Sequence, residues 1–248
     1  MSLIKNFFSP GRLTKPVDLS ILKTDMHSHL IPKVDDGSDS LETSVGLIKG
    51  MTELGYSRII TTPHIQGEFY KNSAATILPG LEQLKRELAK QHVSVQIEAA
   101  AEYLIDEKFG EKIKNRDLLT FSNNYLLVEM SFFNEYPHWK DYFFELQIAG
   151  YKIILAHPER YSYFFRNWNK YEEIKDRGVL FQLNIVSLAG YYSAEVKRIA
   201  EKLIENNMID LVGTDMHNFN YLEALKKACY ERSFKDLVDS GRLMNASL

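Results

Sequence analysis

Histidines and carboxylates stand at the ends of successive short apolar runs, and that placement constrains this chain more than any other feature. Runs centred on residues 21–26, 57–61, 93–99, 125–129, 152–155, 179–183 and 210–212 are apolar and rich in β-branched residues, and they read as strands. The first leads into Asp25-Met26-His27-Ser28-His29, the second into Thr62-Pro63-His64, and the third into Glu102. The fourth ends at Glu129, the fifth at His157-Pro158-Glu159-Arg160, and the seventh at Asp215-Met216-His217. Five of the seven histidines occupy such positions; His92 and His138 do not.

Amphipathic stretches separate the runs, at 40–55, 74–91, 138–150, 170–177, 194–207 and 221–230. Ser40 and Ser193 fit helix N-caps, and Gly55, Gly150 and Gly178 fall where glycines end helices. Strands alternating with helices predict an α/β fold with a parallel sheet, either closed into a barrel or left open and doubly wound. In a closed barrel the C-terminal strand ends share the one face where active sites are built. The length of 248 residues suits one such domain.

Spacing adds chemistry. Residues i and i+2 of a strand point to the same side, so His27 with His29, and Asp215 with His217, can converge on one ion. Each piece has an ordinary explanation when taken alone. A single strand-end histidine is commonly a hydrogen-bonded structural residue, Glu129 reads as a buried ion-pair partner, and Asp35-Asp36-Gly37 reads as a turn. Together they are harder to explain without metal, because burying so many ionisable groups costs several kcal/mol per charge. Imidazole and carboxylate suit zinc, manganese or iron.

Other chemistries are poorly supported. A cysteine-dependent phosphatase places an arginine six residues after its nucleophile, whereas the single cysteine, Cys229, is followed there by Lys235. No phosphate-binding P-loop is present. The net charge of −3 gives no reason to expect nucleic acid. No apolar run is long enough to enter a membrane as a helix, and the N-terminal pieces around Lys5 are too short for a signal-peptide core, so a cytoplasmic location is expected. Tyr161, Tyr163, Phe164, Phe165, Tyr191 and Tyr192 read as packing residues, with flanking of a substrate ring as the alternative.

The segments D-M-H-S-H-L-I-P-K-V-D-D-G-S, T-T-P-H, A-E-Y, L-L-V-E-M, A-H-P-E-R-Y and G-T-D-M-H resemble the polymerase-and-histidinol-phosphatase superfamily. The combination of V-D-D-G with A-H-P-E-R-Y is most similar to its manganese-dependent protein-tyrosine phosphatases of bacterial capsule and exopolysaccharide operons. The resemblance covers about residues 22–248 and leaves 1–21 as an irregular extension. It implies a single-domain, distorted TIM-like barrel of seven strands with three divalent ions, manganese foremost and iron or zinc as alternatives. His27, His29, Glu102 and Asp215 would hold the first ion. Glu102, Glu129 and His157 would hold the second. Asp36, His64 and His217 would hold the third, the family pattern favouring Asp36 over Asp35. Arg160 would bind the substrate phosphate. Three such ions against four carboxylates leave the site near +2, roughly matched to a phosphate dianion. Coordination lowers the pKa of bound water from 15.7 towards ~7, which supplies hydroxide as nucleophile. The implied partner is a phosphotyrosine protein, such as a membrane tyrosine kinase of polysaccharide export. A histidinol-phosphate phosphatase is the first alternative. A non-catalytic metal-binding scaffold docking on the kinase is the second, opposed by the completeness of the ligand set and by Arg160.

Overall fold

The computed structural model describes residues 12–248. The part of the expected extension before residue 12 lies outside the described residues. The remainder runs along the molecule: Leu13 N–H donates to Tyr230 O and Val17 N–H to Cys229 O, and Leu19 is buried.

Among the described residues there are nine strand segments. These are β1 (Thr24–Asp25), β2 (Arg58–Thr61), β3 (His64–Ile65), β4 (Gln96–Ala99) and β5 (Glu102–Leu104), followed by β6 (Tyr125–Glu129), β7 (Lys152–Ala156), β8 (Leu180–Asn184) and β9 (Leu211–Gly213). All pair in parallel, in the orders β1-β2-β4 and β3-β5-β6-β7-β8-β9. Two expected strands are each followed by a further short one, β3 beyond β2 past Thr62-Pro63 and β5 beyond β4 past Ala100-Ala101. Pro63 has no N–H to give to a ladder, so the second run jogs there. Seven runs therefore circle the molecule. The first and last meet through a parallel bridge between Ser28 and Met216, with His29 N–H donating to Met216 O and Asp215 N–H to His27 O. The sheet closes on itself, and the open doubly wound alternative does not apply.

Alternation along the strands sorts the core into two layers. Leu126, Val128, Ile153 and Leu155 pack outwards against the helices. Leu127, Ile154 and Ala156 point inwards with Met26, Ile60 and Leu211. This is the period-two division of a barrel wall. The same inward phase continues to Glu129 at the end of β6, so the polar groups stand on an apolar floor.

The helices are α1 (Leu41–Glu53), α2 (Ala74–Lys90), α3 (Glu107–Asn115), α4 (Trp139–Ile148), α5 (Asn169–Asp176), α6 (Ile185–Leu188), α7 (Ala194–Glu205), α8 (Phe219–Ala228) and α9 (Arg232–Asp239). Ser40 caps α1 by accepting from Thr43 N–H, and Ser193 caps α7 by accepting from Val196 N–H. Gly55, Gly150 and Gly178 take the expected left-handed conformation. Sequence reading missed α3, α6 and α9. The first and last are short amphipathic helices of eight or nine residues, and α6 is a single turn. Isolated segments of that length are marginal, so tertiary packing decides them.

Candidate metal centre

Glu102, the first residue of β5, is fully buried and stands at the middle of the strand ends. Its Oε2 lies 3.1 Å from His27 Nε2, 3.4 Å from His29 Nε2 and 3.2 Å from His64 Nδ1. Its Oε1 lies 3.0 Å from His157 Nε2. Asp215 Oδ1 approaches the same His27 and His29 nitrogens at 3.3 and 3.4 Å. Asp36 Oδ1 faces His64 Nε2 at 3.6 Å and His217 Nε2 at 3.5 Å. Glu129 Oε1 is 3.1 Å from His64 Nδ1.

All nine expected ligands thus come together, in four overlapping groups whose ligating atoms lie within 4.8 Å of one another. One group holds His27, His29 and Asp215, and another holds His29, Asp36, His64 and His217. Glu102 joins His27 and His157 in a third and His64 and Glu129 in a fourth. Glu129 and His157, expected on one ion, approach each other to 4.0 Å.

The donor chemistry fits cations. His27 Nδ1 donates to Gln182 Oε1 and His29 Nδ1 to Asp35 Oδ2, both at 2.7 Å, and His217 Nδ1 donates to Asp215 O at 2.8 Å. A proton held on Nδ1 leaves the Nε2 lone pair aimed at the centre, the usual arrangement behind a metal-ligating histidine. The Nε2 atoms of His27 and His29 then face each other at 3.3 Å. Two lone pairs at that distance repel, and a cation between them removes the repulsion. The buried Nδ1 of His64 has no hydrogen-bond partner among the described residues, though it sits between two carboxylates.

Electrostatics point the same way. Burial disfavours the charged imidazoles, yet Glu102 and Asp215 hold the His27 pKa up, and Asp35 does the same for His29. His64 is pushed up to about 9 by Glu129 and Glu102 against the same burial. Burial also opposes ionisation of Glu102 and Asp215, but His27 and the other imidazoles keep both well below the usual carboxylate range. Positive charge is strongly favoured here, as protons or as metal.

The two adjacent aspartates have different jobs. The Asp35 side chain is buried, accepts from His29 Nδ1 and His64 N–H, and so orients both residues. Asp36 is 55% exposed at its side chain and faces His64 and His217. Gly37 follows because a Cβ there would fall on the carbonyl oxygen and Cβ of His29. At the far ends of β7 and β9, His157 (φ 37°) and Asp215 (φ 51°) are both left-handed. Such backbone costs about 1–3 kcal/mol and is concentrated at functional sites.

Arg160 closes the turn Pro158–Arg160 beyond β7. Its Nη1 donates to Asp215 Oδ2 at 3.2 Å. The guanidinium lies between two rings, 4.4 Å from the centroid of Phe132 and 4.1 Å from that of Tyr192. The side chain remains 20% exposed, at the mouth of the site. The family of capsular polysaccharide synthesis proteins CpsB/CapC matches residues 23–236. This chain belongs to that family. Over 195 residues it is 29% identical to the tyrosine-protein phosphatase YwqE of Bacillus subtilis, covering 78% of this chain and 77% of that one. It is 26% identical over 216 residues to the tyrosine-protein phosphatase CpsB of Streptococcus pneumoniae, with 84% and 88% covered. It superposes with a TM-score of 0.79 and 26% identity, over 90% of each chain, on a chain from the crystal structures of YwqE from Bacillus subtilis and CpsB from Streptococcus pneumoniae, described as unique metal-dependent tyrosine phosphatases. Likeness to the histidinol phosphate phosphatase of Lactococcus lactis, complexed with zinc, L-histidinol and phosphate, is weaker and shows a shared fold. Its TM-score is 0.53 and its identity 14%, over 89% of this chain and 94% of that one.

This CpsB/CapC chain also holds site residues that sequence reading missed. Asp215 Oδ2 accepts from Asn184 Nδ2 at 2.7 Å and Tyr192 OH at 3.0 Å as well as from Arg160. Gln182 holds His27 and donates through Nε2 to Asn184 Oδ1. A signal existed: two amides, two residues apart in the otherwise apolar Leu180–Asn184, must share the inward face. Glu159 is buried behind them, its Oε1 accepting from Asn184 N–H and Ser187 Oγ–H. Of the aromatic residues singled out from sequence, Tyr161 and Phe164 are core, whereas Tyr192 belongs to the site.

Proposed function

We propose that this chain is a metal-dependent tyrosine-protein phosphatase whose nine clustered side chains hold three divalent ions, manganese first among them. The single observation that supports this most is the convergence of all nine imidazole and carboxylate groups, in groups spanning 4.8 Å, inside a CpsB/CapC chain. His27, His29, Glu102 and Asp215 hold the first ion. Glu102, Glu129 and His157 hold the second, with Glu102 shared. Asp36, His64 and His217 hold the third. Ions held there supply Lewis-acid polarisation of the phosphoryl group and lower the pKa of water.

The chain's own residues do the rest. Gln182, Asp35 and the Asp215 carbonyl fix three imidazoles with Nε2 facing inwards. Arg160, steadied by Asp215 and two rings, offers its planar fork to the phosphate oxygens, where transition-state charge is spread. The leaving group is a phenol with a pKa near 10, so departure depends less on a general acid than departure of an aliphatic alcohol. The substrate is a phosphotyrosine protein, in this reading the cytoplasmic part of a membrane tyrosine kinase of polysaccharide export. Among the described residues no helix is long and apolar enough to cross a membrane.

Metal analysis of manganese-saturated protein should find more than two ions per chain. The kcat/KM for phosphotyrosine peptides should far exceed that for histidinol phosphate or phosphoserine peptides. Full activity with one ion would sink the three-ion assignment, and a preference for histidinol phosphate would replace the substrate assignment.

A further inference from the structure

Three loops at the mouth of the barrel each carry two adjacent aromatic residues: Phe69-Tyr70 after β3, Phe132-Phe133 after β6, and Tyr191-Tyr192 after α6. Within each pair the two rings do different things. The inner ring covers a residue of the site. Tyr70 stacks on His64, with centroids 5.5 Å apart and planes 10° apart. Phe132 lies 5.7 Å from His157 and covers Arg160, and Tyr192 covers Arg160 from the other side. The outer ring faces solvent. Phe133 is 93% exposed and Phe69 81%, while Tyr191 is 38% exposed, as open to solvent as the inner Phe132 at 39%.

These loops are pinned. Gln66 and Tyr70 exchange both backbone hydrogen bonds, at 2.9 and 3.2 Å, and Gly67 N–H donates to Asp106 Oδ2. Ser131 is held from both sides, its carbonyl accepting from Tyr163 OH and its Oγ from Phe133 N–H. Tyr191 rests on Tyr221, which itself stacks on His217. A phenylalanine on a pinned loop cannot fold back to hide its ring. Single exposed apolar residues are ordinary, but several set around one mouth mark an interaction surface.

We propose that Phe69, Phe133 and Tyr191 form a docking rim for the polypeptide segments that flank the phosphotyrosine. This rests on the phosphatase reading above. The occupant follows from continuity with the site. A phosphotyrosine whose phosphate reaches Arg160 has its backbone outside the mouth, and the residues on either side must cross the rim. Apolar or aromatic flanking residues then bury against the outer rings, whose loop backbones are already held in place, so less ordering entropy is lost on binding. The inner rings govern the phosphate and the outer rings govern the chain. The rim therefore distinguishes a protein substrate from a small aryl phosphate.

The test compares wild type with the double variant Phe69→Ala/Phe133→Ala, both loaded with manganese and both checked for an unchanged melting temperature. The substrates are a phosphotyrosine peptide with apolar flanks, the same peptide with Gly-Ser flanks, and p-nitrophenyl phosphate. The variant should raise KM for the apolar peptide about tenfold, equivalent to about 1.4 kcal/mol. Its kcat, and its kcat/KM on p-nitrophenyl phosphate, should stay within about twofold of wild type. Phe133→Leu with Phe69 intact should recover most of the peptide affinity. Equal losses on peptide and p-nitrophenyl phosphate would overturn the rim, since the loops would then act through the site. So would an unchanged peptide KM, or a wild type blind to the flanks. A wild type that hydrolyses p-nitrophenyl phosphate but no phosphotyrosine peptide would defeat the substrate reading and the rim with it.

Discussion

Arg160 owes its position to three contacts: a hydrogen bond to Asp215 and a ring on each side. The resemblance gave Arg160 the substrate phosphate, and an arginine at a barrel mouth could equally form an ordinary surface ion pair. Its hydrogen-bond partner among the described residues is instead a buried carboxylate of the site. Replacing it with Lys or Met should leave fold and metal content intact, because Asp215 Oδ2 keeps Asn184 and Tyr192 as donors. The kcat/KM should fall by roughly 10²–10³, the range for losing one transition-state donor. Kinetics and metal content measured on the same samples check this, and near-wild-type turnover of Arg160→Met with its ions bound would remove Arg160 from the mechanism. Cys229 is the converse case. It is buried at the end of α8, and burial pushes its thiol up to about 12, so almost no thiolate exists at neutral pH. Turnover of Cys229→Ser should match wild type, and loss of most activity in a folded variant would point to a thiol mechanism.

At the scale of elements, the site depends on where strands stop. The jog at Thr62-Pro63 ends β2 and lets His64 restart as β3 beside Glu102. The turn carrying Asp35, Asp36 and Gly37 folds back until Ser38 N–H reaches the His29 carbonyl at 3.0 Å. Gly37 is required for that approach, since any Cβ would strike the His29 backbone. Gly37→Ala should therefore displace His29 along with Asp35, which orients it. Overpacking of this kind costs about 1–3 kcal/mol, and loss of ligand orientation weakens metal binding about 10–100-fold. Calorimetric titration of manganese into the variant checks the second figure, and an unchanged affinity would show that the turn can yield without moving the ligand.

For the whole molecule, ions held as proposed would draw ligands from all around the barrel and hold its strand ends together. The folded state assembles those ligands, and the unfolded chain scatters them. Metal at one hundred times its dissociation constant then stabilises by about 2.7 kcal/mol per site, roughly 5–10 °C in melting temperature for a chain of this length. Chelation should lower the melting temperature by at least that much and abolish activity, and manganese should restore both. The carboxylates that raise the pKa values of His27, His29 and His64 make protons and metal compete for the same atoms. Metal affinity should accordingly rise as pH rises through neutrality. Melting curves with and without chelator at several pH values check the sign, and a chelated protein as stable as the loaded one would contradict it.

The sequence by itself determined which imidazoles and carboxylates stand where, the strand ends that carry them, and the parallel α/β alternation. The reason is that β-branched runs, i and i+2 pairs and cap residues are all local. It also argued against a cysteine-phosphatase mechanism, because the arginine that would follow Cys229 is absent. Tertiary structure decided whatever depends on which runs become neighbours. Closure through Ser28 and Met216 brings together His27 and Asp215, 188 positions apart in the chain, a contact that no local pattern encodes. The division of labour between Asp35 and Asp36 has the same origin. Both stand in one turn, and only the positions of His29, His64 and His217 around it give one a buried histidine to orient and leave the other facing the site.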